Sequence, residues 1–192
     1  MNKYITSLII ASALSTSAAS AQLIYQAVLN GPSESPPNAS PGTGFAEVDY
    51  FSVTHLLHIH VTFSGLLGPT TASHIHAATT SPGIGTAGVA TTTPYFAGFP
   101  IGVTSGIFDT TLDLTQASSY NPSYITANGG TTASAELALT SALAADEAYL
   151  NIHTSTFPGG EIRGFLVLVP EPSTIALLGL GVVAFAVRRR RI

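Results

Sequence analysis

Cysteine is absent from this 192-residue chain, which excludes the disulfide framework that staples many small secreted domains and leaves a hydrophobic core as the source of stability. Basic side chains are almost as scarce. Lys3 sits at the extreme N-terminus and Arg188, Arg189, Arg190 and Arg191 at the C-terminus, so Arg163 alone faces nine acids between residues 22 and 169. Such a surface repels polyanions. Nucleic acid is excluded as a partner, because binding it needs clustered Lys and Arg to neutralise phosphates. Charged residues make up only 8% of the chain, but 45% are hydrophobic, too many for a disordered segment. Several catalytic signatures are missing as well: no Gly-x-Ser-x-Gly elbow, phosphate loop, His-Glu-x-x-His helix or acidic calcium loop is present, which removes the reactions they serve. No internal repeat is evident.

The two ends read as addresses. Met1-Asn2-Lys3 is a short basic start, Tyr4 to Leu14 is mostly apolar, and Ala19-Ser20-Ala21 is a small-x-small site followed by Gln22. That order of charge, apolar run and small residues is a secretory signal peptide over 1–21, handled by the Sec translocon and a signal peptidase. At the other end, Ile175 to Val187 is an apolar run that would span about 20 Å as a helix, short of a hydrocarbon core of about 30 Å. The four arginines after it would stop translocation with the C-terminus in the cytoplasm. Val169-Pro170-Glu171-Pro172-Ser173-Thr174, the apolar stretch with Gly179 and Gly181, and the Arg cluster together resemble the PEP-CTERM sorting signal of Gram-negative bacteria. The resemblance implies recognition near Pro170, Glu171 and Pro172 by an exosortase, a membrane protease or transpeptidase. It also implies transient anchoring in the inner membrane, then release to the periplasm, cell surface or extracellular matrix. A plain single-pass anchor is the alternative for 169–192.

Between the ends, Gly, Pro, Asn, Ser and Thr punctuate the chain at short intervals. The runs between them alternate. Leu57, Ile59, Val61 and Phe63 share one face while His58, His60 and Thr62 take the other, the period-two pattern of a half-buried strand. Similar readings apply to Leu23–Leu29, Gly44–Phe51, Ala72–Ala77, Thr104–Leu112, Ala148–Thr154 and Ile162–Val169, which predicts a sandwich or barrel over 22–168. Thr132 to Ala145 is rich in Ala and Leu and places Leu139 and Leu143 four apart. It predicts one short helix, capped by Thr132 with Glu136 near its first turn. Thr79 to Pro100 reads as a long loop or a poorly patterned hairpin.

Six histidines remain to be explained: His55, His58 and His60, then His74 and His76, then His153. In a strand, i and i+2 point the same way about 6.5–7 Å apart, so either His-x-His pair could bring two imidazoles to one metal ion. A copper or zinc site wants three or four ligands from converging strands, and His153, on the polar face with Tyr149 and Asn151, could supply a third. His58 and His60 are expected on a solvated face and His55 at a strand edge. Asp109, Asp113, Asp146 and Glu147 read as solvated surface charge. A buried Arg163 needs a carboxylate or carbonyl partner, and Glu161 is the local one.

Leu29-Asn30-Gly31 with Glu34 and Pro36-Pro37, then Gly44-Phe45-Ala46-Glu47-Val48, Ser73-His74-Ile75-His76, Tyr149-Leu150-Asn151-Ile152-His153-Thr154 and Pro158-Gly159-Gly160-Glu161-Ile162-Arg163-Gly164 resemble the CHRD domain, first described in chordin. The resemblance covers Leu23 to Leu168. It implies an all-β, immunoglobulin-like sandwich or Greek-key barrel of the copper/zinc superoxide dismutase type, with a short helix, flanked here by a signal helix and a C-terminal apolar helix. It also implies that His74 and His76 fall where the dismutase has copper ligands, that His153 matches a later one, and that Arg163 matches an anion-guiding arginine. No bridging histidine, zinc loop or cysteine pair accompanies them. Two arrangements of His74, His76, His153, Glu161 and Arg163 therefore stay open: a structural polar cluster, or a mononuclear copper or zinc site. The leading expectation is a non-enzymatic component of the envelope that binds exopolysaccharide or matrix proteins. The alternative is a copper- or zinc-binding, dismutase-like redox protein.

Overall fold

The computed structural model describes residues 22–170. The signal segment with Ala19 and Ala21, Glu171 and Pro172 of the sorting motif, the apolar C-terminal run and Arg188 to Arg191 lie outside the described residues. Gln22 opens the first strand and Pro170 is exposed just beyond the last.

The fold is mostly β, as expected: one antiparallel sheet curled into a half-barrel. Its strands are β1 (Gln22–Asn30), β2 (Thr43–Phe51), β3 (Leu56–Ser64), β4 (Thr70–His76), β5 (Gly106–Asp113), β6 (Tyr149–Thr154), β7 (Ile162–Phe165) and β8 (Val167–Leu168). The order across the sheet is β4-β6-β7-β1-β2-β3-β5, with β8 also pairing β1. The alternation seen in the sequence sends Tyr25, Ala27 and Leu29, Ala46 and Val48, Leu57, Ile59 and Val61, and Leu150 and Ile152 into one core. Chain neighbours β3 and β4 end at opposite sides of the sheet. The lead-in to β5 ties those sides together, since Thr70 N donates to Val103 O (2.8 Å) and Gly102 N to Thr70 O (2.9 Å).

Among the described residues two α-helices, α1 (Pro122–Ala127) and α2 (Thr132–Ala144), stand where one short helix was expected. α1 is too short to show a 3.6-residue period. Its signal was local: Asn121 Oδ1 accepts from Ser123 N with Pro122 at the first helical position, where proline's missing N–H does no harm. The α2 cap is Thr131, not Thr132, because Thr131 and Ser134 form a reciprocal capping box. Glu136 then lies beyond the first turn and is buried. It accepts from Tyr50 OH (2.8 Å) and pairs with His55 Nδ1 (2.9 Å), which docks the helix on the sheet. Thr79 to Pro100 is a long loop, with Phe96 and Phe99 turned inward against Phe108 and Phe63.

Glu161 joins the parts around the open end of this sheet. It is fully buried, and its carboxylate accepts from Ser40 Oγ (2.6 Å), Thr154 Oγ1 (2.6 Å), Leu67 N (2.6 Å) and Gly68 N (3.3 Å). Burial pushes this carboxyl up, but the donors outweigh it and hold the group below the ordinary value. The expected Glu161–Arg163 pair is therefore corrected: four nearer donors already fill the Glu161 oxygens. Replacing Glu161 with Gln puts an N–H₂ where donors already converge, and is expected to lower the unfolding free energy by about 3 kcal/mol. Urea unfolding of the mature chain measures it, and a change below 1 kcal/mol, well under that range, would mean the loops are held by something else.

Candidate functional site

Strand β6 pairs on both sides. Its register sets His76, Tyr149 and Phe165 in one row across β4, β6 and β7, and His74, Asn151 and Arg163 in the next; Ala72 and His153 stand opposite each other in the third. Residues in these rows share one face of the pleat, while Ile75, Leu150 and Ile152 alternate to the core. The face carrying the polar set is itself covered, mainly by the loop between β4 and β5 and the turn after β6, so His74 and His76 are buried and His153 is half-buried.

One ring nitrogen from each of His74, His76 and His153 lies within 4.8 Å of the others, and the ring centroids are 5.3 to 6.0 Å apart. The other nitrogen of each ring meets a backbone carbonyl. His74 Nε2 donates to Pro94 O (2.6 Å), His76 Nδ1 to Ala87 O (2.9 Å) and His153 Nδ1 to Pro158 O (2.9 Å). A carbonyl can only accept, so these nitrogens carry the hydrogens and the remaining ones are bare lone pairs in the neutral rings. Those remaining atoms, His74 Nδ1, His76 Nε2 and His153 Nε2, are buried and have no hydrogen-bond partner. Burial lowers all three pKa values, His76 to about 4 with further lowering from its neighbours, so the rings stay neutral at physiological pH. Three converging acceptors with no protein donor form an unsatisfied cluster, which a cation or a hydrogen-donating water would satisfy.

The sequence brought His74, His76 and His153 to one face. It did not show what orients them. Tyr149 stacks on His76 at 4.7 Å, and its hydroxyl accepts from Ala87 N (3.3 Å), so it holds both the ring and the ring's carbonyl partner. Ala87 and Pro94 lie in the loop without periodicity, where no pattern could have marked them. The resemblance assigned Arg163 the guiding of anions, and its position does not suit that role. It is buried, donates to Ser33 O and Gly85 O, lies 3.9 Å from Glu34 and covers the Tyr149 ring at 4.7 Å. Glu34 in turn accepts from Asn151 Nδ2 (2.8 Å), and burial pushes its carboxyl up to about 7 despite Arg163. Gly160 makes room for this contact, since a Cβ there would meet Asn151 Nδ2 at 2.4 Å and Glu34 at 2.7 Å.

The remaining histidines lie elsewhere. His58 and His60 stand on the outer sheet face, as expected, where both bond Asp109 (3.1 Å each) and His58 also reaches Asp49 (3.4 Å). Partial burial lowers the His58 pKa, but these carboxylates more than reverse it and raise it overall. His55 lies not at a strand edge but in the turn before β3, with φ +57° and its ring on Glu136.

The family model described as the CHRD domain matches residues 25–166, and the PEP-CTERM protein-sorting motif matches residues 168–191. No curated protein and no solved structure matches the chain.

The buried His76 generates a pH prediction. Its folded pKa, about 4, lies below the unfolded value of about 6.5, so its contribution to stability is complete above pH 6.5 and is lost as pH falls through 4. The unfolding free energy of metal-free protein should drop by about 3 kcal/mol relative to a His76→Gln variant over that interval. Urea unfolding at a series of pH values reads it, and parallel curves for the two proteins would show that His76 titrates normally.

Proposed function

The chain belongs to the CHRD domain family, and from that premise we propose that its domain is a surface-displayed binding module holding one copper or zinc ion on His74, His76 and His153. The sorting motif makes it an exported protein, anchored transiently in the membrane, processed by an exosortase and delivered to the surface or outside the cell. The observation that carries the metal reading is the set of three buried, partnerless imidazole nitrogens, each aimed by a carbonyl bond on the far side of its ring. Neutral imidazole is a good ligand for copper and zinc, and an outer hydrogen bond to a carbonyl is the usual way a ligating ring is fixed. Nitrogens that lie within 4.8 Å of one another would have to close by roughly 1 Å to sit about 2.0–2.1 Å from a shared ion. When bound, the ion supplies Lewis acidity and, if copper, one-electron chemistry.

We read the site as one for binding rather than catalysis because its three free lone pairs are buried, which keeps a bound ion from a dissolved substrate. Purified mature protein should hold about one copper or zinc per chain, and saturating metal at 100 times its dissociation constant should add about 2.7 kcal/mol to stability. Elemental analysis with thermal unfolding tests this. A folded His153→Ala variant should lose both the metal and the stabilisation, and metal-free wild type with unchanged stability on adding metal would sink the reading.

A second reading, contact with exopolysaccharide, is supported by a different face. A shallow groove of about 530 Å³ runs across β2, β3 and β5, lined by Phe45, Thr62, Ser64, Ser105 and Ile107. Exposed Phe45 and Ile107 beside these hydroxyls offer a flat apolar surface with polar edges, the combination that suits a sugar ring. Phe45→Ala should then weaken retention on the producer's own polysaccharide by about tenfold without affecting the metal site, in affinity electrophoresis. Equal retention of the two proteins counts against it.

A further inference from the structure

We propose that the ion this site is built to take is copper in its +1 state, bound by three imidazoles alone, an inference that rests on reading His74, His76 and His153 as a metal ligand set. The first argument is charge. All three ligands are neutral, and no carboxylate belongs to the set. The acids on this side are engaged elsewhere, Glu34 with Asn151 and Arg163 and Glu161 with Ser40, Thr154, Leu67 and Gly68. Among the described residues the nearest full positive charge, Arg163, lies over the Tyr149 ring that stacks on His76. The desolvation energy of an ion grows with the square of its charge, so a divalent ion is penalised about four times as heavily as a univalent one in the same buried site. Many divalent sites lower that penalty with carboxylate or thiolate ligands, and this set has none.

The second argument is coordination number. The free nitrogens His74 Nδ1, His76 Nε2 and His153 Nε2 are all buried, and the rings crowd one another at 5.3 to 6.0 Å. Zinc prefers four ligands in a tetrahedron and cupric copper a tetragonal set, so each would need a water or anion as well, beside three nitrogens that are already buried. Univalent copper, with half the charge of zinc or cupric copper, accepts a lower coordination number, and three nitrogen donors satisfy it. Hard divalent cations are excluded on a further ground, since they take oxygen ligands.

The test uses mature, metal-free protein under anaerobic conditions, titrated with Cu(I) against a coloured Cu(I) chelator and with Zn(II) and Cu(II) against chelators of their own. Cu(I) should bind at one per chain and more tightly than Zn(II) by roughly 100-fold or more. X-ray absorption of the Cu(I) form should show three nitrogen neighbours and no fourth ligand. His153→Ala, at the half-buried position, and His74→Gln, checked for folding by circular dichroism, should each lower Cu(I) affinity steeply. Zn(II) binding at the same histidines with equal or greater affinity, or a fourth ligand on the bound copper, would overturn this inference and leave the metal site standing. Failure of every metal to bind folded protein would overturn both.

Discussion

Everything in the candidate site depends on the register of one strand. β6 is hydrogen-bonded to β4 on one side and β7 on the other, and Asn151 stands opposite both His74 and Arg163. With a side-chain period of two, a slip of one residue would turn Leu150 and Ile152 out of the core and drive Tyr149, Asn151 and His153 into it. Burial of those two fully covered aliphatic side chains, each worth about 1.5–3 kcal/mol, therefore also sets the face on which the three imidazoles meet. Core and site are two readings of the same alternation.

A chain with so few charges places them inside to an unusual degree. Glu34, Glu136, Glu161 and Arg163 are all buried, and each is tied to partners from distant elements. Glu161 gathers the loops after β1 and β3 to the end of β6, Glu136 docks α2 on Tyr50 and His55, and Glu34 and Arg163 close the far side of the histidine cluster. A buried carboxylate without donors would be strongly destabilising, whereas one with several charge-assisted bonds specifies a single loop arrangement. These contacts hold the turn whose Pro158 carbonyl orients His153.

Two His-x-His pairs with the same spacing have taken opposite roles. His58 and His60 sit on the outer face of β3 beside Asp49 and Asp109, and partial burial of His58 is more than offset by those carboxylates, so its charged form is favoured. His74 and His76 sit under the loop that follows β4, where burial favours the neutral form and carbonyls take the ring hydrogens. A carboxylate-facing pair and a lone-pair-presenting pair thus differ by environment and not by pattern.

Most of the strands, the polar face shared by Tyr149, Asn151 and His153 and the family likeness of the tail were legible in the sequence, but the run Ile162–Val169, expected as one strand, is broken into β7 and β8. Each legible feature follows from local alternation or from a short contiguous motif. The α2 cap at Thr131, the helix α1, the partner of Arg163 and the seat of His55 were not. They turn on which groups meet after the chain has closed loops of tens of residues: Arg163 finds Ser33, Glu34 and Gly85, and His55 finds Glu136. Periodicity states which way a side chain points, but the identity of its neighbour is decided by competition among donors and acceptors that only tertiary packing brings within hydrogen-bonding distance.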